Sequence, residues 1–239
     1  ACHVMWRELC GVAAASPHRL HIQFMPWGLH TEPDDLRREL QQAVDAVPAE
    51  AFDAVLLGYG LCSNGLAGVC ARHTPLVVPR AHDCITCFLG SKERYREWFD
   101  AHPGTYWYTP GWIENHPPPG RERYESVRAE YVQKYGEDNA DFLMDMEQDW
   151  FKKYTVAAYV DQGSGDTEYY QDRTRECADW LGWDYQRLEG DPGLLQRFVN
   201  GEWADHEFLV VPPGHHIIPS NDTDIIRAAP DDQHNGDPA

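Results

Sequence analysis

Seven cysteines and twelve histidines are distributed along 239 residues, and three of the thiols, Cys2, Cys62 and Cys84, fall at the ends of expected strands rather than on apolar helix faces. Thiolates and imidazoles are what zinc and iron–sulfur clusters select, and three thiols leave one position open for water or substrate. Cys2, Cys62 and Cys84 are therefore the expected metal ligands, with His82 or His30 as fourth ligand or proton carrier, because imidazole titrates near neutral pH. His82, His30 and Asp83 form the candidate acid–base set, and His215 could serve in the same way. Zinc is the first choice of metal, since histidine and aspartate flank the thiols and no ferredoxin spacing occurs; a three-cysteine [4Fe-4S] cluster is the second. Cys84 and Cys87 open a predicted helix, where backbone N–H groups lower a thiol pKa. The Cys84-x-x-Cys87 spacing has no second pair and is no zinc ribbon. Cys10, Cys70, Cys87 and Cys177 sit at apolar helix positions, where cysteine acts as a small hydrophobe.

Other residues could complete a binding site. Gly60, Ser63 and Asn64 follow a predicted strand and are candidate cofactor contacts. Arg80 could bind a carboxylate or phosphate through its forked guanidinium, or form an ordinary salt bridge. The turn at residues 161–166 is glycine-rich and precedes a helix, so it could cradle an anion, although it carries no phosphate-binding fingerprint. The chain contains no G-x-S-x-G, H-E-x-x-H or G-x-G-x-x-G pattern. That disfavours serine hydrolases, zincin proteases and ordinary dinucleotide dehydrogenases.

These residues need strands to bring them together. Helical spacing covers residues 4–15 and 32–47, residues 19–26 alternate like a strand, and residues 52–60 and 75–79 are short apolar runs of the kind that form buried parallel strands. A short helix is expected over 64–73, a long one over 84–101, and an edge strand over 105–109. Residues 114–153 break this rhythm and read as a helical insertion or lid. Residues 154–161, 167–181, 184–188, 192–203 and 208–211 then resume it as a second βαβαβ unit. The expected fold is α/β, a doubly wound and mostly parallel sheet built from two βαβ-type lobes with a helical insertion. Its parts would be an N-terminal lobe over 1–113 carrying the cysteine–histidine site, the insertion over 114–153, a second lobe over 154–220, and a flexible tail over 221–239. In such sheets ligands bind beyond the carboxyl ends of the strands, where Cys2, His30, Cys62 and Cys84 would converge. The strings LVVPRAHDC and LVVPPGHHI hint at an internal duplication. Ala1-Cys2-His3 reads as the continuation of a strand that begins upstream.

Composition limits the partners. The formal charge of −19 repels phosphate backbones and anionic membrane surfaces, so neither nucleic acid nor membrane is an expected partner. No apolar stretch is as long as a membrane span. An odd number of cysteines without a visible signal peptide points to reduced thiols and a cytoplasmic location.

The strings GYGLCSNG (58–65), PRAHDCITCFLGSKERY (79–95) and GTYWYTPGW (104–112), with GLH (28–30) upstream, resemble the DUF1638 family, in order over residues 2–217. By that resemblance Cys2, His30, Cys62, His82, Asp83, Cys84 and Trp112 are the positions to carry over, Trp112 as a cofactor contact. The family is associated with corrinoid and methylamine or methyl-transfer gene neighbourhoods. This implies a metal-dependent enzyme acting on a small-molecule substrate, with methyl transfer the first expectation and a corrinoid protein or methyltransferase as partner. A non-catalytic carrier or sensor of metal or corrinoid, and an iron–sulfur redox or desulfurising enzyme, are the alternatives.

Overall fold

Most of the expected helices form, but the strands connect differently from expectation. The computed structural model describes residues 1–231. Along the chain run α1 (Trp6–Ala15), α2 (Pro33–Asp45), β1 (Val55–Leu56), β2 (Leu76–Pro79), α3 (Cys84–Leu89), α4 (Lys92–Ala101), β3 (Thr105–Tyr108), α5 (Pro110–Asn115), α6 (Arg121–Tyr135), α7 (Glu137–Phe151), β4 (Val156–Asp161), α8 (Thr167–Leu181), β5 (Asp184–Glu189), α9 (Gly193–Val199), β6 (Phe208–Val211), β7 (His215–Pro219) and β8 (Ile226–Pro230). They divide into two units, one of Ala1–Tyr95 with Asp191–Ala239 and one of Arg96–Gly190, rather than at residue 113.

In the first unit β1 pairs parallel with β2, and β2 pairs antiparallel with β6. Backbone bonds extend this row past β1, since Cys2 N donates to the Gly58 carbonyl at 3.1 Å and Cys2 bridges Met25 in parallel. All four residues of β2 are buried, as a central apolar strand requires. The core beneath is built from Leu9 of α1, Leu36, Leu40 and Val44 of α2, and Phe88 of α3. β7 and β8 form an antiparallel hairpin. In the second unit β3, β4 and β5 form an all-parallel sheet over an aromatic core of Tyr108, Phe151, Tyr159, Tyr170 and Trp183.

The fold is thus mixed α/β with three small sheets, and no single doubly wound sheet spans the described residues. The expected second βαβαβ unit is split. Its first two strands join β3, whereas β6 returns to the first unit and runs against β2. The two similar strings lie opposite each other in that pairing, Leu76 facing Val211 and Val78 facing Leu209 in one antiparallel ladder.

Three local expectations are corrected. Residues 64–73 form no helix, because Cys62, Ser63, Asn64 and Gly68 all take positive φ, which no right-handed helix accepts; turns run to Gly68, and Cys70 bridges His216. The helix over 84–101 is two helices, separated where Gly90 adopts φ +83° and lies so close to Asp191 that a Cβ would sit 2.6 Å from its side chain. Ile226–Pro230 is a paired strand rather than tail; residues 232–239, the rest of the expected tail, lie outside the described residues. Among the described residues no helix is long and apolar enough to cross a membrane.

Candidate thiol site

The site is built at the carboxyl end of the first unit's parallel strands. Leu61 N donates to the Ala81 carbonyl at 2.8 Å and Cys62 N to the His82 carbonyl at 2.9 Å, so the loops after β1 and β2 stay joined beyond the strands. Gly60 permits this approach, because a Cβ there would lie 2.6 Å from both N and Cα of Asp83. Beyond Gly60 three successive non-glycine residues, Cys62, Ser63 and Asn64, take φ of 46°, 55° and 67°. Each such residue costs roughly 1–2 kcal/mol. The left-handed turn closes through Gly65 N to the Cys62 carbonyl at 3.0 Å, and Arg37 of α2 donates to the Asn64 carbonyl at 3.3 Å and to the Ala67 carbonyl. The strain is therefore held by backbone bonds and by one arginine.

The three thiols arrive on separate segments. Cys2 is buried in the bridge to Met25, Cys62 sits in the left-handed turn, and Cys84 is the first residue of α3. They interact electrostatically. Burial pushes the Cys84 thiol well up, with Asp83, Cys2, Cys62 and Cys87 adding to it. Cys62 is raised by burial and then by Asp83 and Cys2. Cys2 is raised by burial, against the lowering effect of the Val4 backbone N–H. Cys87 is fully buried and pushed up to about 12 by burial and Asp83. The expectation that the start of α3 lowers the Cys84 and Cys87 pKa is corrected: α3 has only six residues, and burial beside other acids outweighs its terminus.

Asp83 caps α3 by accepting from Ile85 N at 2.9 Å, and its other oxygen accepts from the Tyr95 hydroxyl at 3.0 Å. Burial nevertheless raises its pKa, against those two bonds and the nearby His82. His30, in the single turn Leu29–Thr31, is half-buried; burial lowers its pKa, with the Asp83 charge acting the other way. His82 is exposed.

Sequence reasoning assigned no role to Tyr59. It is 2% exposed, its hydroxyl has no hydrogen-bond partner among the described residues, and burial followed by Cys2, Cys62 and Cys84 raises its pKa. A buried hydroxyl without a partner costs about 1–3 kcal/mol, so a ligand that accepts its proton gains that amount. The signal was in the sequence as a polar-tipped aromatic at the end of an apolar strand, masked by the run around it. Tyr95 was likewise missed as the partner of Asp83.

Other expected residues have different work. Arg80 is buried and donates to the carbonyls of Asp205, Asp224 and Ile226 and to the Asp205 carboxylate, clamping the C-terminal segments. Of its two expected readings, the structure shows the salt bridge, made with Asp205. Ser63 and Asn64 are exposed on the turn, and Gly60 is a spacer between loops. Trp112 belongs to the second unit, where α5 carries it beside His116. His215 lies in β7, its Nδ1 3.2 Å from the Pro213 carbonyl. Asp161 is occupied by Gly163 N and Arg187, so the turn over 161–166 is tied by a carboxylate rather than open to an anion. Among the described residues no three His, Cys, Asp or Glu side chains already stand as a coordination cluster.

Residues 24–199 match the DUF1638 family, described as a protein of unknown function. The chain belongs to the DUF1638 family. The match takes in the Cys62 turn, the Asp83–Cys87 segment and Tyr59, and begins downstream of Cys2. Neither the curated proteins nor the solved structures contain a match to this DUF1638 member.

Proposed function

We propose that this DUF1638 protein is a metal-dependent enzyme acting on a small metabolite, with Cys2, Cys62 and Cys84 as ligands of the ion. The reading is supported by the placement of three thiols on three separate segments, Cys2 in the bridge to Met25, Cys62 in the left-handed turn and Cys84 at the start of α3, and by the buried Tyr59 hydroxyl, which has no hydrogen-bond partner among the described residues. The donor set suits a thiophilic cation: mutual repulsion and burial keep the thiols protonated, and a bound dication reverses that balance. Because no ready coordination cluster stands among the described residues, the thiols must turn onto the ion from a backbone already in place.

An ion held by Cys2, Cys62 and Cys84 would supply Lewis acidity that favours the ionised form of a thiol substrate. The remaining work belongs to the chain. His30, which burial favours as the neutral imidazole, takes up the substrate's proton. Tyr59 donates its hydrogen bond to the substrate and orients it. Asp83, fixed by Ile85 N and Tyr95, positions the start of α3 and with it Cys84. Methyl transfer is the reaction we assign first, on the family's association with corrinoid and methylamine gene neighbourhoods, and a corrinoid protein or methyltransferase is the corresponding partner.

Elemental analysis of anaerobically purified protein, followed by turnover assays with methyl donors and thiol acceptors, tests this. About one zinc per chain with turnover supports it. Iron with acid-labile sulfide moves the site to an iron–sulfur cluster. Stoichiometric cobalamin binding without turnover makes the protein a carrier, and the enzyme reading fails.

A further inference from the structure

In the second unit the outward face of α7 departs from the rule that solvent-facing helix positions are polar. α6 and α7 pack on one another across a turn at Gly136, tied by the ion pairs of Arg123 with Glu147 and of Arg128 with Asp141. α7 buries Ala140, Met144 and Phe151, which fixes its inner face. On the opposite side Phe142, Met146 and Trp150 recur every four residues and so form one continuous row. Phe142 is 65% exposed, Met146 60% and Trp150 49%. At roughly 150–250 Å² for a large side chain, these three leave on the order of 300 Å² open to solvent. Single exposed apolar residues need no explanation, but a contiguous row of this size marks an interaction site. Trp150 also packs on the rings of Tyr106 and Tyr154, so one end of the row is held in place before anything binds.

The charges beside the row decide what would cover it. α7 holds six acids and no basic residue. Asp141, Asp145 and Asp149 each stand one position before Phe142, Met146 and Trp150, so they line one edge of the apolar row from end to end. Asn139 and Leu143 lie on the other edge and carry no charge. Arg128 pairs with Asp141 and Lys152 with Asp149, but these pairs are solvent-exposed, and exposed pairs hold weakly. The acidic edge therefore remains available to cations of a partner.

We infer that the outward face of α7 docks an amphipathic helix of a partner protein, one with apolar residues at four-residue spacing and lysines or arginines along the edge that meets Asp141, Asp145 and Asp149. Rows at four-residue spacing on two helices interdigitate, and the flexible thioether of Met146 adapts to side chains of differing shape. Acids on one edge alone also select the partner's orientation, because the reversed helix would set its cations over Asn139 and Leu143. A second copy of this chain is the poorer occupant. A two-fold contact lays the same patch against itself and crowds these acids together, in a chain whose net charge is already −19. The same acids are repelled by an anionic lipid surface. The small apolar area makes the contact transient, in the class below about 1,200 Å². The inference uses neither the thiols nor any reaction assigned to them.

Fluorescence anisotropy tests it on the full chain, with a labelled synthetic helix that carries leucines at four-residue spacing and lysines along one edge. This probe should bind with a Kd in the micromolar range, and its counterpart with glutamates for lysines at least about tenfold more weakly. Phe142→Ala and Met146→Ala should each weaken binding of the lysine probe about tenfold. Both side chains are mostly exposed, so each variant should melt within about 2 °C of the unaltered protein. Asp145→Asn combined with Asp149→Asn should weaken binding at least about threefold at low salt and lose that effect at about 1 M, where charges are screened within about 3 Å. Val210→Ala, an exposed apolar change in the first unit, should leave binding unchanged. Failure of the lysine probe to bind would overturn the inference. So would Phe142→Ala and Met146→Ala both binding within about twofold of the unaltered protein, since net charge alone would then hold the probe. A dimer in sedimentation that Phe142→Ala dissolves would give the face to a second copy, and binding to phosphatidylcholine vesicles that the same variant abolishes would give it to lipid; either result overturns it. None of these readouts depends on metal content or turnover, so the docking face and the proposed function can fail separately.

Discussion

At the level of single residues, the thiols were legible and their surroundings were not. Cys2, Cys62 and Cys84 could be selected because each follows a predicted strand; burial and then neighbouring acids raise the Cys62 and Cys84 thiols, and no three side chains among the described residues stand as a coordination cluster. Tyr59 escaped because an aromatic inside an apolar run reads as core, and Tyr95 because in the charged stretch Lys92–Glu97 it reads as a solvated helix position; only the fold reveals which way each hydroxyl points. For Arg80 the salt-bridge reading holds, through the Asp205 carboxylate, but its backbone carbonyl partners more than 120 residues away have no sign in the sequence. Two substitutions separate function from scaffold. Cys62→Ser and Cys84→Ser should each lose bound metal on desalting, whereas Cys177→Ser, buried in the second unit's core, should retain it. Retention of stoichiometric metal in both of the first two variants would remove them as ligands. Tyr59→Phe removes the unpartnered hydroxyl and should leave the melting midpoint unchanged or slightly higher. If Tyr59 orients substrate, the same variant lowers kcat/KM by about tenfold or more; unchanged kinetics would reduce it to a packing residue.

At the level of elements, the site depends on loops meeting where side chains leave no room. Gly60→Ala would bring a Cβ within 2.6 Å of Asp83 backbone atoms, and backbone cannot step aside as a flexible side chain can. The expected cost is about 3 kcal/mol, read as a lowered denaturant midpoint with unchanged m-value. A cost below about 0.5 kcal/mol would mean the loops are not joined as described. The left-handed turn predicts the reverse. Ser63→Gly relieves a positive φ worth roughly 1–2 kcal/mol, less the 0.5–1 kcal/mol glycine loses in chain entropy, so the protein should gain roughly 0.5–1 kcal/mol. Destabilisation on that change would show that the Ser63 side chain contributes something the backbone account omits. Helices and turns of this kind differ in how openly the sequence declares them. α8 and β6 have the bounds that periodicity gave, because local spacing alone defines them. The turn at 62–64 and the break at Gly90 are set by distant neighbours, Arg37 and Asp191, and no local pattern could supply them.

At the level of the whole molecule, chain connectivity was the least legible feature, because β6 could extend either sheet by its composition and only its antiparallel pairing with β2 decides between them. Charge and burial, by contrast, make predictions that need no topology. Both units bury ionisable acids in neutral form: Cys177 is pushed up to about 11, mainly by burial, and Tyr95, Tyr106, Tyr108, Tyr159 and the thiols of the site are raised as well, burial first in each case. For such a group the unfolded chain releases its proton at the ordinary pKa, about 8.5 for a thiol and about 10 for a phenol, while the folded chain still holds it. Above those values the unfolded state binds fewer protons, so stability falls as pH rises. The loss should be small below about pH 8, begin as thiols in the unfolded chain ionise, and for Cys177 be complete only above about 11. In a chelator-containing buffer the melting midpoint should therefore decline steadily from pH 8 to 10.5, and Cys177→Ala should flatten part of that decline even though its midpoint at neutral pH is lower. The formal charge of −19 grows more negative over the same range and also opposes folding, but salt separates the two causes. Self-repulsion between exposed charges is screened when the Debye length shrinks from about 30 Å at 0.01 M to about 3 Å at 1 M, whereas the burial effect is not. A decline that persists at high salt identifies the buried thiols and phenols as its source; one that salt abolishes would assign it to net charge and contradict the raised pKa values.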